Sequence, residues 1–526
     1  MIDLETKVKI PFLWGKTIFK KQNWAKINLI VGPNGSGKTL LAQRLSEQFE
    51  EAGYAVRFIK SDRDDRKEQL EILKSNERIR VKIENVLSNM FGKSITFVED
   101  INGNPIPIVE NRAWNVEYLL EDAECHGLKE IIILLISLYT KNSARSKGEC
   151  IFFDEPELHL HPQFQTFFMN EIRKEVQHSS RKIFFLISHS PFFIDLRTPE
   201  DLIGVIACHI NKVPTTIENL SDDDDGLFHR FLPRFNTYHK QFFFSDNQIF
   251  VEGYTDQQMF TYLLPLIENE YSIAGTGIID VGGKDELGVF CKVCSLLGTN
   301  GRIITDLDSL FSGKLRDVAN EDERVKQWLE KQTEKQTNFY EKIFTEKERK
   351  QEIRLEKLIH RLENLLIEIG KEIVKIDLDF IAKNSKTQTE KHNLQILEIL
   401  LQKLFLLQEK HENPQSIDTY KTVLLQGVNM LSEILEKYLP EKVALTIPLI
   451  KNLYALVLAA MEAARVYVLP KGCIEHYYSQ TKILFMPVAT KDKLFRYELD
   501  FIQTAHKKTV KKNYAELIEL LTKATR

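Results

Sequence analysis

Gly32-Pro33-Asn34-Gly35-Ser36-Gly37-Lys38-Thr39 decides how the first half of this chain is read. It follows a short apolar run, Ile27-Asn28-Leu29-Ile30-Val31, and opens into helical text at Lys38-Thr39-Leu40-Leu41. Strand, glycine-rich turn and helix in that order make a phosphate loop. Backbone N–H groups wrap the phosphate oxygens, and the helix N-terminus adds a favourable dipole. Asn34, Gly35, Ser36 and Gly37 would cradle the phosphates of ATP, Lys38 would reach the β- and γ-phosphates, and Thr39 would ligand Mg²⁺. Downstream, residues 150–153 read as an apolar strand that ends in Asp154-Glu155. Asp154 suits the Mg²⁺ side of the nucleotide, and Glu155 suits a base that polarises the attacking water. Residues 182–187 read as a second such strand, closed by Ser188-His189-Ser190-Pro191. A zinc pair is a rival reading of His159 and His161, although the motif around them explains both better. Strands alternating with helices predict an α/β sheet with its site at the strand C-terminal ends.

A second constellation lies in the other half. Val251-Glu252-Gly253-Tyr254-Thr255-Asp256 follows an apolar strand at 248–251, and Asp306-Leu307-Asp308 follows another at 302–305. Alternation in an extended segment would put Asp306 and Asp308 on one side, facing one ion. Hard carboxylate oxygens suit Mg²⁺ or Mn²⁺. Carboxylates from two strand ends give the geometry for ions astride a phosphodiester. A lone Asp-x-Asp is a weak signal; the ordered set is much stronger.

The bulk numbers bound this reading without deciding it. At 526 residues and 43% hydrophobic content, two or three domains with ample cores are expected. A net charge of −4 advertises no global basic field, so a nucleic-acid groove would be a local patch. The six cysteines are scattered, and the pair Cys291 and Cys294 has no second pair to complete a zinc site, so reduced thiols are expected. No leader-like start is evident, and the apolar run 131–138 is too short to span a bilayer. A cytoplasmic protein without a membrane partner is expected. Along the chain, residues 1–211 form the ATPase part and 212–245 a connector, in which Ser221-Asp222-Asp223-Asp224-Asp225-Gly226 reads as a solvated loop. Sheet text resumes at 246–315. Over 316–463 glycine and proline become scarce, and Leu355, Leu358, Ile359, Leu362, Leu365, Leu366 and Ile369 mark one helical face. Strand text at 466–469 and 483–488 places this helical insertion inside a sheet that 464–526 completes with a C-terminal helix.

The motif Asp154-Glu155-Pro156-Glu157, with His159, His161-Pro162 and His189, resembles the ABC-type ATPases of the SMC/Rad50 and OLD (overcoming lysogenization defect) families. In them His189 would sense the γ-phosphate. Their signature motif would fall at Glu124-Cys125-His126-Gly127, which keeps the glycine and lacks the usual serine; Gly127 would then face ATP held by another protomer. The second half looks like a TOPRIM domain, a Rossmann-like metal fold. That resemblance implies Glu252, Asp306 and Asp308 as metal ligands, with Asp256 as a further one. An ABC-type ATPase followed by TOPRIM is the OLD nuclease architecture, and the resemblance covers roughly 1–315 and 464–500. It also implies a late second-metal residue, for which Gly472-Cys473-Ile474-Glu475 offers Glu475, and a late lysine that stabilises phosphate charge, for which Lys491 and Lys493 are both open. A surface glutamate and surface lysines are the plain alternatives. Lys507, Lys508, Lys511 and Lys512 would serve either phosphate contact or solubility.

These features favour an ATP-regulated, Mg²⁺-dependent endonuclease of defence type, acting on DNA with RNA as the alternative, in a homodimer or higher even-numbered oligomer. A second reading is an SMC-like ATP-driven DNA clamp with an inert TOPRIM domain, against which the intact Glu252, Asp306 and Asp308 count. A third is an effector subunit held silent by a partner. OLD-like effectors occur beside reverse transcriptases in retron systems, so a reverse transcriptase with its nucleic-acid product is a candidate for the insertion.

Overall fold

The computed structural model describes the chain except residues 1, 63–65, 92–93, 102, 104, 112–113, 120–125, 141–145, 180, 211, 238, 246, 268–275, 300, 336, 350–352, 385–386, 410–413, 480–490 and 526. The expected strand at 483–488, and Glu124 and Cys125 of the expected signature, therefore lie outside the described residues. Two compact units emerge: Met1–Asp246 with Leu296–Thr299, and Asn247–Ser295 with Asn300–Arg526.

The first unit is built on a six-stranded sheet in the order Thr215–Thr216, Val205–Ala207, Ile27–Val31, Lys182–Ile187, Glu149–Asp154, Ala55–Ile59. All neighbours are parallel except the Thr215–Thr216 edge. Every residue of Ile27–Val31, Glu149–Asp154 and Lys182–Ile187 is buried, as expected for central strands covered on both faces. The helix Lys38–Glu51 lays Leu41, Ala42, Leu45 and Phe49 on one face of this sheet, and Phe152 stacks on Phe185 at a centroid distance of 4.2 Å. Between 94 and 119 a three-stranded antiparallel sheet, Ser94–Glu99, Pro105–Asn111 and Val116–Leu119, stands where the sequence shows only mixed text.

The acidic run at 221–226 is not a loop. Ser221 caps a helix over Asp222–Phe231, its hydroxyl accepting from the Asp224 amide at 3.2 Å. Four aspartates then fill the first turn, where the helix dipole favours negative charge. The stretch expected as a connector packs into the first unit through buried Phe228, Phe231, Phe235, Phe242 and Phe243.

In the second unit four parallel strands run in the order Thr276–Asp280, Asn247–Val251, Gly301–Thr305, Val466–Val468. Thr305 pairs with Val468, so the helical text between them interrupts the sheet at one crossover. Leu355–Ile373 buries the seven residues of its expected face, and it packs against Thr446–Ala463 and Pro414–Tyr438. The segment Glu441–Ala463 is long and apolar enough to cross a membrane by length and composition, a property missed in the sequence. Here its residues Ile447, Ile450, Leu453, Val457 and Met461 are buried within the insertion and against Val466–Val468.

Candidate functional site

The phosphate loop leaves the buried strand Ile27–Val31 and enters the helix through Gly37 in the left-handed region, φ 84°. Gly32 has φ 145°, and a Cβ there would lie 2.4 Å from the Cys208 carbonyl oxygen. The neighbouring strand thus presses on the loop so closely that only glycine fits. Lys38 is buried and donates to the carbonyls of Gly32 at 2.9 Å and Pro33 at 2.8 Å. Burial pushes its ammonium pKa down, while the nearby Cys208, Glu155, Glu157 and Asp154 oppose that shift. Thr39 donates to Asp154 Oδ1 at 3.0 Å across the sheet. Burial raises the Asp154 pKa against that hydrogen bond. Thr39 and Asp154 are therefore one oxygen pair beside the phosphate cradle, the donor set a nucleotide-bound Mg²⁺ takes.

Glu155 adopts φ 47°, uncommon for a non-glycine residue, with its amide bonded to the Ile187 carbonyl at 2.8 Å. That turn aims its carboxylate at His189, Nε2 to Oε1 3.7 Å. Burial, then Lys38, lowers the His189 pKa against the pull of Glu155, so the imidazole is neutral near pH 7. The Glu157 carboxylate accepts from the His189 amide at 2.5 Å and fixes that backbone. His161 caps the helix Pro162–His178, Nδ1 accepting from the Gln163 amide at 3.3 Å, which accounts for it without zinc. Gly127 is buried, and a Cβ on it would meet the His159 carbonyl oxygen at 2.6 Å. Close packing against the turn after Glu155 explains this glycine within one chain.

The second site gathers at the C-terminal ends of the parallel strands. Glu252, Asp306 and Asp308 bring one carboxylate oxygen each to within 4.8 Å of one another. Glu252 Oε1 accepts from the Thr305 hydroxyl at 2.6 Å, the Asp306 amide at 3.0 Å and the Ser309 hydroxyl at 3.3 Å. Asp306 and Asp308 do not alternate on an extended segment, as the spacing suggests. Asp306 is the N-cap of a 3-10 turn over Leu307–Leu310, and this turn brings Asp308 back to the cluster. Asp256, on the helix Tyr254–Leu263, accepts from the Gly253 amide at 3.2 Å.

Glu475 is buried on the turn Ile474–Tyr477 and lies close enough to act on both Asp256 and Asp306. Burial, then Glu252 and Glu475, pushes the Asp256 carboxyl up to about 7. Burial, then Glu252, Asp256, Asp308 and Glu475, holds Asp306 well above the usual carboxylate range. Asp308 Oδ1 is buried without a hydrogen-bond partner among the described residues. Crowded hard oxygens and an orphaned acceptor fit a divalent cation.

Of the two late lysines, Lys493 is exposed on the helix Lys491–Thr504; the side chain of Lys491 lies outside the described residues. Among the described residues, Lys284 brings an ammonium to the cluster, 3.0 Å from Asp308 Oδ2 and hydrogen-bonded to the Ser312 hydroxyl. The sequence reading missed it. Its signal was Gly282-Gly283 after the strand Thr276–Asp280, both glycines at positive φ, which turn the chain into Lys284.

Comparison with known proteins agrees with both halves. A family model for the TOPRIM domain of overcoming lysogenization defect protein-like sequences matches residues 243–308, and an AAA ATPase domain model matches 45–194. An OLD nuclease of Thermus scotoductus is 27% identical over 192 residues, 36% of this chain and 36% of that protein. Endonuclease GajA of Bacillus cereus is 27% identical over 274 residues, 45% of this chain and 37% of that protein. The Old nuclease of Escherichia phage P2 is 25% identical over 189 residues, 34% and 31% of the two chains. The chain thus spans about a third of the length of the curated relatives it matches. Within that span it joins an ATPase domain to a TOPRIM domain of the overcoming lysogenization defect type.

Proposed function

We propose that this protein is an ATP-regulated, Mg²⁺-dependent endonuclease that cuts or nicks DNA. The observation that carries the reading is the convergence of Glu252, Asp306 and Asp308, with Asp256 and Glu475 beside them, in a chain that also pairs Thr39 with Asp154 behind a phosphate loop. Glu252, Asp306 and Asp308 would hold a divalent ion, Mg²⁺ or Mn²⁺, with Asp256 as a further ligand, and Glu475 would serve a second. Such ions supply charge neutralisation on the phosphodiester and an activated water. Lys284 places a positive charge at the same edge. In the ATPase half Lys38 and the loop amides hold the phosphates, Glu155 takes the proton of the attacking water, and His189 contacts the γ-phosphate.

ATP would join two ATPase domains, so even-numbered oligomers are expected. Hydrolysis then resets access to the nuclease sites. A defence role against phage and a cytoplasmic location complete the reading. For the insertion, a reverse transcriptase with its nucleic-acid product remains the partner to test by pull-down with the full chain. The nuclease assignment is tested by cleavage of supercoiled plasmid with Mg²⁺ or Mn²⁺, with and without ATP. Cutting that disappears in Asp306→Ala/Asp308→Ala supports it, and the ATP arms give the sign of regulation. Cutting that survives the double variant refutes the metal site, and a native chain that never cuts favours the partner-silenced effector or the clamp.

A further inference from the structure

The turn that carries Glu475 is held from outside the sheet by the helical insertion. Pro470 offers its carbonyl to the Tyr454 hydroxyl at 3.1 Å, from the helix Thr446–Ala463. Lys471 offers its carbonyl to Gln426 Nε2 at 2.7 Å, from the helix Pro414–Tyr438. The same nitrogen lies 3.4 Å from His476 Nδ1, which also accepts from the Cys473 amide at 3.1 Å. Two acceptors face this side-chain end, so it must be the amide nitrogen; the oxygen there would leave three acceptors in contact.

Gln426 is 3% exposed, in a helix otherwise packed by leucine and valine. A buried amide without these partners would cost more than an apolar residue, so its place is tied to the turn. Next to it, Gly427 lets the helix approach Leu400, whose Cδ2 lies 2.6 Å from where a Cβ would stand. Gln426 therefore cannot shift without moving the paired helix Gln388–Gln408.

The far side of the turn bonds to the backbone that carries the carboxylate cluster. Gly472, at φ 135°, has no room for a Cβ, which would lie 2.4 Å from Gln426 Nε2 and 2.2 Å from His476 Nδ1. Its carbonyl accepts from the Leu307 amide at 2.8 Å, between Asp306 and Asp308. Leu469 donates to the Thr305 carbonyl at 2.8 Å, one residue before Asp306. Hydrogen bonds thus tie the insertion to the turn, and the turn to the backbone on either side of Asp306, and Glu475 rides on the same turn.

We propose that Gln426 is a positioning residue of the metal site, through which the helical insertion fixes the Lys471–Gly472 turn and, with it, Glu475, Asp306 and Asp308. This rests on the metal-nuclease reading above. The insertion then supports the metal site through the helices Pro414–Tyr438 and Thr446–Ala463.

The test uses the full-length protein with Gln426→Leu, which keeps the bulk and removes both donated bonds, and Tyr454→Phe, which removes only the bond to Pro470. Mn²⁺ binding is followed by the electron paramagnetic resonance of free Mn²⁺, and plasmid nicking is titrated with Mn²⁺. ATP hydrolysis and thermal melting report folding. Residues that orient metal ligands typically change affinity about 10–100-fold, so Gln426→Leu should raise the Mn²⁺ half-saturation about tenfold in both assays, with native ATP hydrolysis and melting. Tyr454→Phe should shift it in the same direction by a smaller factor. A folded Gln426→Leu protein with native Mn²⁺ binding overturns the proposal. Should Gln426→Leu fail to fold, a native Mn²⁺ titration in Tyr454→Phe overturns it equally. If the native chain binds Mn²⁺ but does not nick DNA, the nuclease reading fails while the binding arm still judges Gln426. If the native chain binds no Mn²⁺, both fail.

Discussion

Asp256 is the residue at which function and stability oppose each other most directly. Burial and the charges of Glu252 and Glu475 raise its carboxyl from 3.8 to about 7. A carboxyl whose pKa is raised on folding holds its proton longer in the native state, so stability falls as pH rises. The loss begins near the unfolded value of 3.8 and is complete above about 7. At 1.36 kcal/mol per unit, the full shift costs on the order of 4 kcal/mol at pH 8. Asp256→Asn mimics the protonated acid, and its carboxamide oxygen can still accept from the Gly253 amide. In chelator, the variant should melt higher than the native chain at pH 8, by about 10 °C if the whole shift is relieved in a unit of this size. At pH 4.5 the difference should shrink to about 1 kcal/mol, because the native acid is then protonated and only the unfolded one, of pKa 3.8, is ionised.

Metal binding should show the converse. A proton must leave a group of pKa about 7, so native Mn²⁺ affinity should weaken about tenfold from pH 8 to pH 6, and Asp256→Asn should lose much of that dependence along with affinity. Differential scanning fluorimetry at the two pH values, with chelator or Mn²⁺, reads all four arms. A melting difference that is equal at pH 4.5 and pH 8, or a variant less stable at pH 8, would refute the idea that carboxylate crowding sets this site.

Three further outcomes follow from named contacts. Glu155→Gln should keep ATP binding and lower hydrolysis by about 10²–10⁴-fold, checked by nucleotide-binding fluorescence beside phosphate release; hydrolysis within a few-fold of native would remove Glu155 as the base. Lys284→Met takes the ammonium from Asp308 and should lower plasmid nicking at saturating Mn²⁺ by about 10²-fold with ATP hydrolysis unchanged, whereas a variant that nicks at the native rate would return the role to a late lysine. Ser221→Ala deletes the cap on Asp222–Phe231 and should destabilise the first unit by about 1 kcal/mol in urea titration, and no change would mean that the helix end frays in solution.

How much of this was legible before folding depends on the range of each interaction. The phosphate loop, Asp154, Glu155 and His189 were readable because each sits within a few residues of its strand end, and one motif carries all the geometry. The acidic run at 221–226 reads as a loop by charge composition, yet Ser221 ahead of the aspartates is a local capping signal for the helix found there. Gly127 was read as a residue for another protomer, and its buried contact with the His159 carbonyl gave no local sign. Lys284 was hidden because an ammonium beside two glycines says nothing of the aspartate it meets across the sheet.

Gln426 was least visible of all. A single glutamine in helical text reads as an exposed position, and only the return of the chain at Val466–Val468 brings its amide to Lys471. That return also explains why the insertion stands where it does. Gly301–Thr305 and Val466–Val468 are adjacent, parallel strands, and each ends at the metal cluster, one in Asp306 and the other in the Glu475 turn. A parallel pair needs a crossover, and a single helix would satisfy it. Using the whole insertion for that crossover places the helices Pro414–Tyr438 and Thr446–Ala463 against the second carboxylate turn, where an ordinary crossover helix would reach only the face of the sheet. The added helices are thus hydrogen-bonded to the turn that leads into Glu475. On the proposed metal-site reading, this makes the insertion part of the support of the Glu475 turn.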